Sequence, residues 1–430
     1  MSQQTFNREL MAFLHASPTP YHAVKTMRCT LEQHGFTPLS ESDSWSLKKG
    51  GRYYVTRQDA SIIAFCAGDA NKGFRMMGAH TDSPCLKVKP KPEITRHGYL
   101  QLGVEVYGGV LLAPWFDRDL SLAGRVQYLD KAGNLKHQLI NFEKPMAVIP
   151  SLAIHLDREA NQKRSINPQT DIPPVICQLA DKEKGDLRNL LKKRLAEEGC
   201  ADCEEVLEYD LSFYDTNKPA VIGLRDEFIA SARLDNLLSC FVGMNALIIH
   251  KNNDATALLV CNDHEEVGSK SATGAQGPFL KNVLERIAGH GEAMTRAMSH
   301  SMLISTDNAH AIHPNFSDRH DGNHGPVINK GTVIKINANL RYASNDETAS
   351  LFGMLSREAA VPFQHFVTRT DMGCGSTIGP LTAGELGLRT LDVGLPTFGM
   401  HSIRELAGTQ DAHDLVQVLK RFLAMETLPF

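Results

Sequence analysis

The sequence predicts an α/β protein, a mixed sheet flanked by helices and interrupted by an inserted β-rich domain. Three observations carry this expectation. Apolar runs too short for helices, among them Ala257-Leu258-Leu259-Val260-Cys261, end in polar clusters and read as buried strands. Between such runs lie stretches with helical apolar spacing, as at Leu234, Leu237, Leu238, Phe241 and Val242. From about Lys91 to Ile222 the texture changes to short β-rich runs spaced by Gly, Pro and charged turns. The expected division is a discontinuous α/β domain over 1–92 and 222–430, with the insertion over 93–221.

Taken in order, the first helix is expected where Phe6, Leu10, Met11 and Leu14 keep a helical period, until Ser17-Pro18-Thr19-Pro20 breaks it. Ala23, Val24, Met27 and Leu31 resume the pattern up to Gly35, which suits the left-handed residue after a helix. Arg52–Thr56, Ser61–Ala67 and Phe74–Gly78 read as strands, the last leading into Ala79-His80-Thr81-Asp82. Within the insertion, strands are expected at Tyr99–Val106, Gly109–Ala113, Gly124–Tyr128 and Ala147–Pro150. Leu187, Leu190, Leu191 and Leu195 mark an amphipathic helix stopped by Gly199. Beyond it come a helix from near Leu234, the Ala257–Cys261 strand and a helix over Phe279–Arg286. Strands at Ser301–Ser305, Thr332–Asn337 and Val361–Val367 follow, and a closing helix sets Leu415, Val418, Leu419, Phe422 and Leu423 on one face.

Composition bounds the function. A chain with 42% hydrophobic and 22% charged residues reads as an ordinary globular protein able to bury a sizeable core. A net charge of -4, with no basic block interleaved with aromatics, argues against nucleic acid as a partner. No apolar stretch approaches a membrane span, and the N-terminus lacks the basic and apolar regions of a secretory signal. Nine scattered cysteines suit free thiols in a reducing compartment, so a cytoplasmic location is expected. Cys200 and Cys203 form a lone C-x-x-C without a second pair to complete a structural zinc site.

The pair Glu265-Glu266 closes the Ala257–Cys261 run, at the strand exit where open α/β sheets bind ligands. Neighbouring residues leaving a strand point different ways, so one carboxylate can hold a metal while the other handles protons. Taken alone, the pair reads better as a solvated acidic turn. Four further residues at strand exits or loops offer metal ligands: His80, Asp235, Asp307 and His401. With Glu266 they make two imidazoles and three carboxylates, a set that suits zinc, cobalt or manganese better than calcium or magnesium. Five protein ligands exceed what one catalytic zinc takes. Shared between two ions by one bridging carboxylate, they give each ion three and leave room for water. Asp82, two residues after His80, is placed to accept the other ring N–H of that imidazole.

These blocks, read together, resemble the aspartyl aminopeptidase family of dizinc exopeptidases nearly end to end. The resemblance rests on Gly78-Ala79-His80-Thr81-Asp82-Ser83-Pro84, Ala232-Arg233-Leu234-Asp235-Asn236 and His264-Glu265-Glu266-Val267-Gly268-Ser269. It continues through Ser305-Thr306-Asp307-Asn308-Ala309-His310 and Gly399-Met400-His401-Ser402-Ile403-Arg404-Glu405. In the insertion, Tyr107-Gly108-Gly109, Trp115-Phe116-Asp117-Arg118-Asp119-Leu120 and Ile149-Pro150-Ser151-Leu152-Ala153-Ile154-His155 also look like the family. The resemblance implies a zinc-exopeptidase-like catalytic domain and an inserted dimerisation domain, with dimers assembling to a dodecamer. It implies two divalent ions, zinc with cobalt or manganese as substitutes, bridged by Asp235. His80 and Asp307 would complete one site, and Glu266 and His401 the other. Glu265 would be the general base, with Asp82 beside it in the catalytic group. His155 would reach a neighbouring subunit's site and stabilise the oxyanion. His310, Lys335 and Tyr342 would line the substrate pocket, and Gly373–Pro380 would border it.

The implied activity is release of an N-terminal residue, preferably Asp or Glu, from peptides with a free N-terminus. A dizinc carboxypeptidase or amide deacylase is the rival within hydrolases; the early β-rich insertion fits the aminopeptidase better. A non-catalytic binding protein on the same fold is the rival of another class, and it has no need of Glu265 beside a full ligand set. His313 and His320 make a third metal site conceivable, but the family places no essential ligand there.

Overall fold

The computed structural model describes residues 1–181, 183–251 and 254–430. Contacts divide the chain into two compact units: Met1–Ser83 with Pro219–Met400 and Glu405–Phe430, and Pro84–Lys218 with His401–Arg404. The first is α/β and the second β-rich, so the chain has the mixed-sheet architecture with an inserted unit.

The first unit is built on a nine-stranded sheet. Its strand order is Thr37–Pro38, Arg52–Arg57, Ser61–Cys66, Thr256–Asn262, Phe74–His80, Met302–Thr306, Arg389–Gly394, Thr332–Ile336 and Phe363–Val367. Four neighbours in the middle, from Thr256–Asn262 to Arg389–Gly394, run parallel. Strand residues alternate between faces, and both faces are buried. Ala257, Leu259 and Cys261 join the core shared with the helices Gln3–Ala16, Pro20–Gln33, Leu234–Ile249 and Asp411–Leu423. Leu258 and Val260 point the other way, into a core completed by the helices Phe279–Ala288 and Glu292–Ser299. The Leu234–Ile249 helix is apolar all round because it is enclosed, with Phe241 packed edge-on against Phe6 at 5.1 Å. Gly35 follows the Pro20–Gln33 helix with φ +79°, as the helix-stop reading requires. A five-stranded sheet, Ala220–Ile222, Phe228–Ser231, Glu405–Gly408, Pro396–Phe398 and Ala309–His310, completes this unit.

The second unit holds a six-stranded antiparallel sheet: Leu135–Asn141, Leu120–Asp130, Cys203–Asp215, Cys85–Arg96, Tyr99–Tyr107 and Val175–Gln178. Leu187, Leu191 and Leu195 of the Leu187–Glu197 helix pack on one face with Val126, Ile140 and Phe213. The division falls at Pro84 rather than near residue 93, because Cys85–Arg96 pairs inside this sheet. Its Lys87, Lys89, Pro90, Lys91 and Pro92 conceal the strand; proline cannot donate to the ladder, and the register shifts between Val88 and Glu93.

Two expected strands are absent. Gly109–Ala113 bends into the short 3-10 turn Ala113–Trp115, with Gly108 at φ +73° and Pro114 in the turn. Ala147–Pro150 makes only isolated bridges, Leu120 to Ala147 and Val148 to Val175. Conversely, the sequence reading passed over the strands Cys203–Asp215 and Arg389–Gly394 and the helix Asp346–Glu358. That helix starts with Asn345 and Thr348 capping each other's backbone N–H groups. No helix among the described residues is long and apolar enough to cross a membrane.

Candidate active site

The parallel strands bring the ligand-type residues together. Phe74–His80 and Thr256–Asn262 pair in register, Asn262 beside His80, so His80 and the Glu265-Glu266 turn leave the sheet at the same edge. Met302–Thr306 lies on the other side of Phe74–His80 and delivers Asp307 to that edge. Strand C-termini in a parallel sheet form such a crevice wherever loops diverge from them.

Each side chain is held by its neighbours. His264 takes a left-handed conformation, φ +62°, and the chain then makes one 3-10 turn over Glu265–Val267. Asp82 pins that turn: its two carboxylate oxygens accept from the backbone N–H of Glu265 and of Glu266, both at 3.1 Å. The same carboxylate lies 3.3 Å from His80 Nδ1. Asp235 precedes the regular part of its helix, with an extended ψ of 106°. Its N–H donates to Glu405 Oε2 at 3.0 Å, and its carbonyl accepts from Ser83 Oγ at 2.6 Å. Asn236 Nδ2 donates to the Thr306 carbonyl at 2.8 Å and ties this segment to the strand that carries Asp307. Lys335, buried, donates to Asp307 Oδ2 at 3.3 Å and to the Asn308 carbonyl at 3.1 Å.

Around His80 Nε2 three carboxylates converge, Asp235 at 3.3 Å, Asp307 at 3.6 Å and Glu265 at 4.0 Å. His80, Asp235 and Glu266 each offer a ligand atom within 4.8 Å of the others. Burial works against charge on His80, but the hydrogen-bonding carboxylates of Asp235, Asp307 and Asp82 prevail and hold its pKa well above the usual value. Burial pushes the Glu265 carboxyl up to about 8; His80 opposes the rise, and the charges of Asp307, Asp235 and Asp82 add to it. Burial also raises Glu266, with Asp235 as the next contributor. Five carboxylates thus crowd one imidazole and one ammonium. Such a group of oxygen and nitrogen donors fits a divalent cation, which supplies the positive charge that protons otherwise must.

The remaining predicted residues fall in two places. His310 and Tyr342 line a cavity of about 290 Å³ with Cys374, Gly375 and Phe366, all in the α/β unit. Lys335 Nζ lies 5.1 Å from the Tyr342 ring centroid, and its charge, after lost hydration, lowers the His310 pKa. His401 and His155 belong to the β-rich unit. His401 Nδ1 is 3.1 Å from the Gly109 carbonyl, and His155 sits in an exposed turn. His313 and His320 form no metal cluster among the described residues. Instead their rings take backbone N–H groups, of Asn315 at 3.2 Å and of His313 at 3.2 Å.

Sequence reasoning missed two supports. Glu405 was visible beside His401, but only the antiparallel pairing of Phe228–Ser231 with Glu405–Gly408 sets it opposite Ser231, close enough to receive the Asp235 N–H. Asp392 was hidden in a strand that the apolar pattern did not reveal.

Known proteins share this fold. Residues 13–423 match the model of the family described as aminopeptidase I zinc metalloprotease (M18). A probable M18 family aminopeptidase 2 of Pseudomonas paraeruginosa is 58% identical over 426 residues, covering 98% of this chain and 99% of the relative. Among solved structures, one of the Ape4 and Nbr1 complex superposes with a TM-score of 0.93 at 40% identity, covering 98% of this chain and 86% of that one. The S. cerevisiae mApe1 dodecamer matches with a TM-score of 0.85 at 29% identity, covering 99% and 97%. With His80, Asp235 and Glu266 gathered at the sheet edge and the likeness running through both units, the chain belongs to the M18 family of zinc aminopeptidases.

Proposed function

We propose that this chain removes an N-terminal residue, preferably Asp or Glu, from peptides, with two zinc ions in the site. The observation that carries the reading is the convergence of Asp235, Asp307 and Glu265 on one imidazole, with Glu266 in ligand range of His80 and Asp235. His80, Asp235, Glu266 and Asp307 would hold the metal; His401 joins the set on the family resemblance. Zinc bound there supplies a Lewis acid that lowers the pKa of water and polarises a carbonyl. Glu265, adjacent to the ligand Glu266 but not needed as one, takes the proton of the attacking water and passes it to the departing amine. Asp82 keeps Glu265 and Glu266 at fixed separation by holding both backbone N–H groups. Preference for an acidic side chain is read from the cations at the cavity: Arg319 and Arg369 line it together with His310, and Lys335 lies beside Tyr342 of the wall, its Nζ 5.1 Å from the ring centroid.

The same reading extends to assembly. The mApe1 relative is described as a dodecamer, and the β-rich unit of this chain exposes Leu152, Ile154 and Leu156 in succession around His155. Apolar side chains grouped in this way suit burial against another subunit, so the unit is read as a dimerisation domain that offers His155 to a neighbour. The metals and the chemistry are tested on chelator-treated protein given back zinc, cobalt or manganese. Hydrolysis of Asp and Glu chromogenic amides over Leu, none of N-acetylated controls, and two zinc ions per chain by mass spectrometry are expected. Turnover without metal, or equal rates on blocked substrates, contradicts the reading. A monomer in sedimentation velocity contradicts the assembly.

A further inference from the structure

The side chain of Asp392 is fully buried on the Arg389–Gly394 strand. Its Oδ2 accepts from the Ala343 N–H at 2.7 Å and its Oδ1 from Thr377 Oγ1 at 2.7 Å. Its backbone N–H donates to Ser344 Oγ at 3.0 Å, and that hydroxyl returns to the Asp392 carbonyl at 3.2 Å. Thr377 stands at the N-cap of the Ile378–Leu386 helix yet makes no side-chain cap bond, because its hydroxyl is turned to Asp392. A Cβ on Gly379 would lie 2.3 Å from Asp392 Oδ2, so the carboxylate occupies a niche that only glycine leaves. Ile334 pairs with Val393 in the antiparallel ladder, which sets Lys335 across from Asp392 on the same face. A carboxylate is taken from water at high cost unless it is compensated; burial raises the Asp392 pKa, while the Lys335 charge and the Ala343 and Thr377 bonds oppose the rise.

The two anchored segments are the ones that carry the cavity wall. Residues 337–345 and 368–377 have no regular secondary structure, and they bring Tyr342, Cys374 and Gly375 to the cavity. We infer that Asp392 is a positioning residue: through the Ala343 N–H and the Thr377 hydroxyl it holds both loops of the cavity in register with Lys335. The inference rests on the cavity being the substrate pocket of the proposed aminopeptidase. Alanine at this position has no acceptor, so both loops lose their anchor; asparagine would not serve, because its NH2 can donate to the Thr377 hydroxyl while its oxygen keeps the Ala343 N–H.

Cys374, half-buried in the wall and accepting from Thr368 Oγ1 at 3.2 Å, reports on loop order without any need for turnover. In the zinc-loaded protein, Asp392→Ala is expected to speed iodoacetamide labelling of Cys374 by about fivefold or more, the scale of one lost hydrogen bond. Peptide mapping should show the buried Cys240 and Cys261 still unlabelled, which separates loop loosening from unfolding. KM for an Asp amide should rise by about fivefold or more with kcat within about threefold, since ground-state positioning is lost and the chemistry is not. Thr377→Val, which removes one anchor at nearly constant volume, should move both readouts the same way and serves if Asp392→Ala does not fold. Labelling at the native rate in both variants overturns the anchor. Faster labelling with unchanged KM keeps the anchor and overturns the reading of the cavity as the substrate's.

Discussion

Asp82→Asn is the sharpest test of how the site is held. The Asp82 carboxylate accepts two backbone N–H groups at 3.1 Å, one from each member of the Glu265-Glu266 pair, and faces His80 Nδ1 at 3.3 Å. Asparagine matches it in size but has one acceptor oxygen, and its NH2 is turned toward a donor. One charge-assisted hydrogen bond is lost and a buried N–H is left facing another donor, together worth about 2–3 kcal/mol. Unfolding entropy of about 2.1 cal/mol/K per residue gives ~0.9 kcal/mol/K for the whole chain, so the melting temperature should fall by about 2–3 °C. The fall is larger if the α/β unit unfolds by itself. Because the turn that carries Glu265 is loosened, kcat should drop as well. Glu265→Gln supplies the contrast: its melting temperature and zinc content should stay native while kcat falls at least ~10²-fold, the low end for loss of a general base. Differential scanning calorimetry, metal analysis and steady-state kinetics on both variants separate the two roles. If Asp82→Asn melts and turns over like the native protein, the Asp82 bonds do not position the turn. If Glu265→Gln keeps its kcat, another group carries the proton.

Two further expectations concern charge. Lys335→Ala should narrow the preference for Asp over Leu amides by about tenfold or more, ~1.4 kcal/mol in the ratio of kcat/KM values; an unchanged ratio removes Lys335 from selectivity. His22 is buried, with Nδ1 2.8 Å from Thr19 Oγ1, and burial, aided by Lys25 and Arg233, pushes its pKa down to about 4. Unfolded, it takes up its proton near 6.5, so between those values the unfolded chain binds more protons. Its contribution is present above pH 6.5 and is lost as the pH falls through 4, by up to roughly 3 kcal/mol. Urea unfolding at pH 7 and 4.5 should show a smaller acid loss for His22→Gln than for the native chain, and an equal loss would contradict this account.

Much of the site was legible because its signals are local. Ala257–Cys261 carries its own strand pattern, and Glu265-Glu266 follows at its exit whatever lies beside it. Helical spacing from Leu234 placed Asp235 at a helix start, although the extended backbone there is invisible in the pattern. Other elements failed the same test. Cys85–Arg96 looks like a charged, proline-rich linker, and it is a strand because Tyr99–Tyr107 and Cys203–Asp215 pair with it. Gly109–Ala113 has the apolar run of a strand but joins no sheet among the described residues, so it turns instead.

By itself, the sequence determined the chemical types at the site, the class of the fold and the order in which the ligand-bearing segments occur. Those follow from periodicity and residue chemistry over a few positions. Only the tertiary structure decided which segments are neighbours. His80 and Asn262 stand side by side because two parallel strands pair in one register, and a slip of one residue would reverse every side chain. Asp82 meets the Glu265 and Glu266 N–H groups, and Asp392 meets Ala343 and Thr377, across separations that no local pattern encodes. Strand adjacency is set by burial of both sheet faces at once, a property of the whole packed unit, and Glu265 and the two cavity loops owe their positions to it.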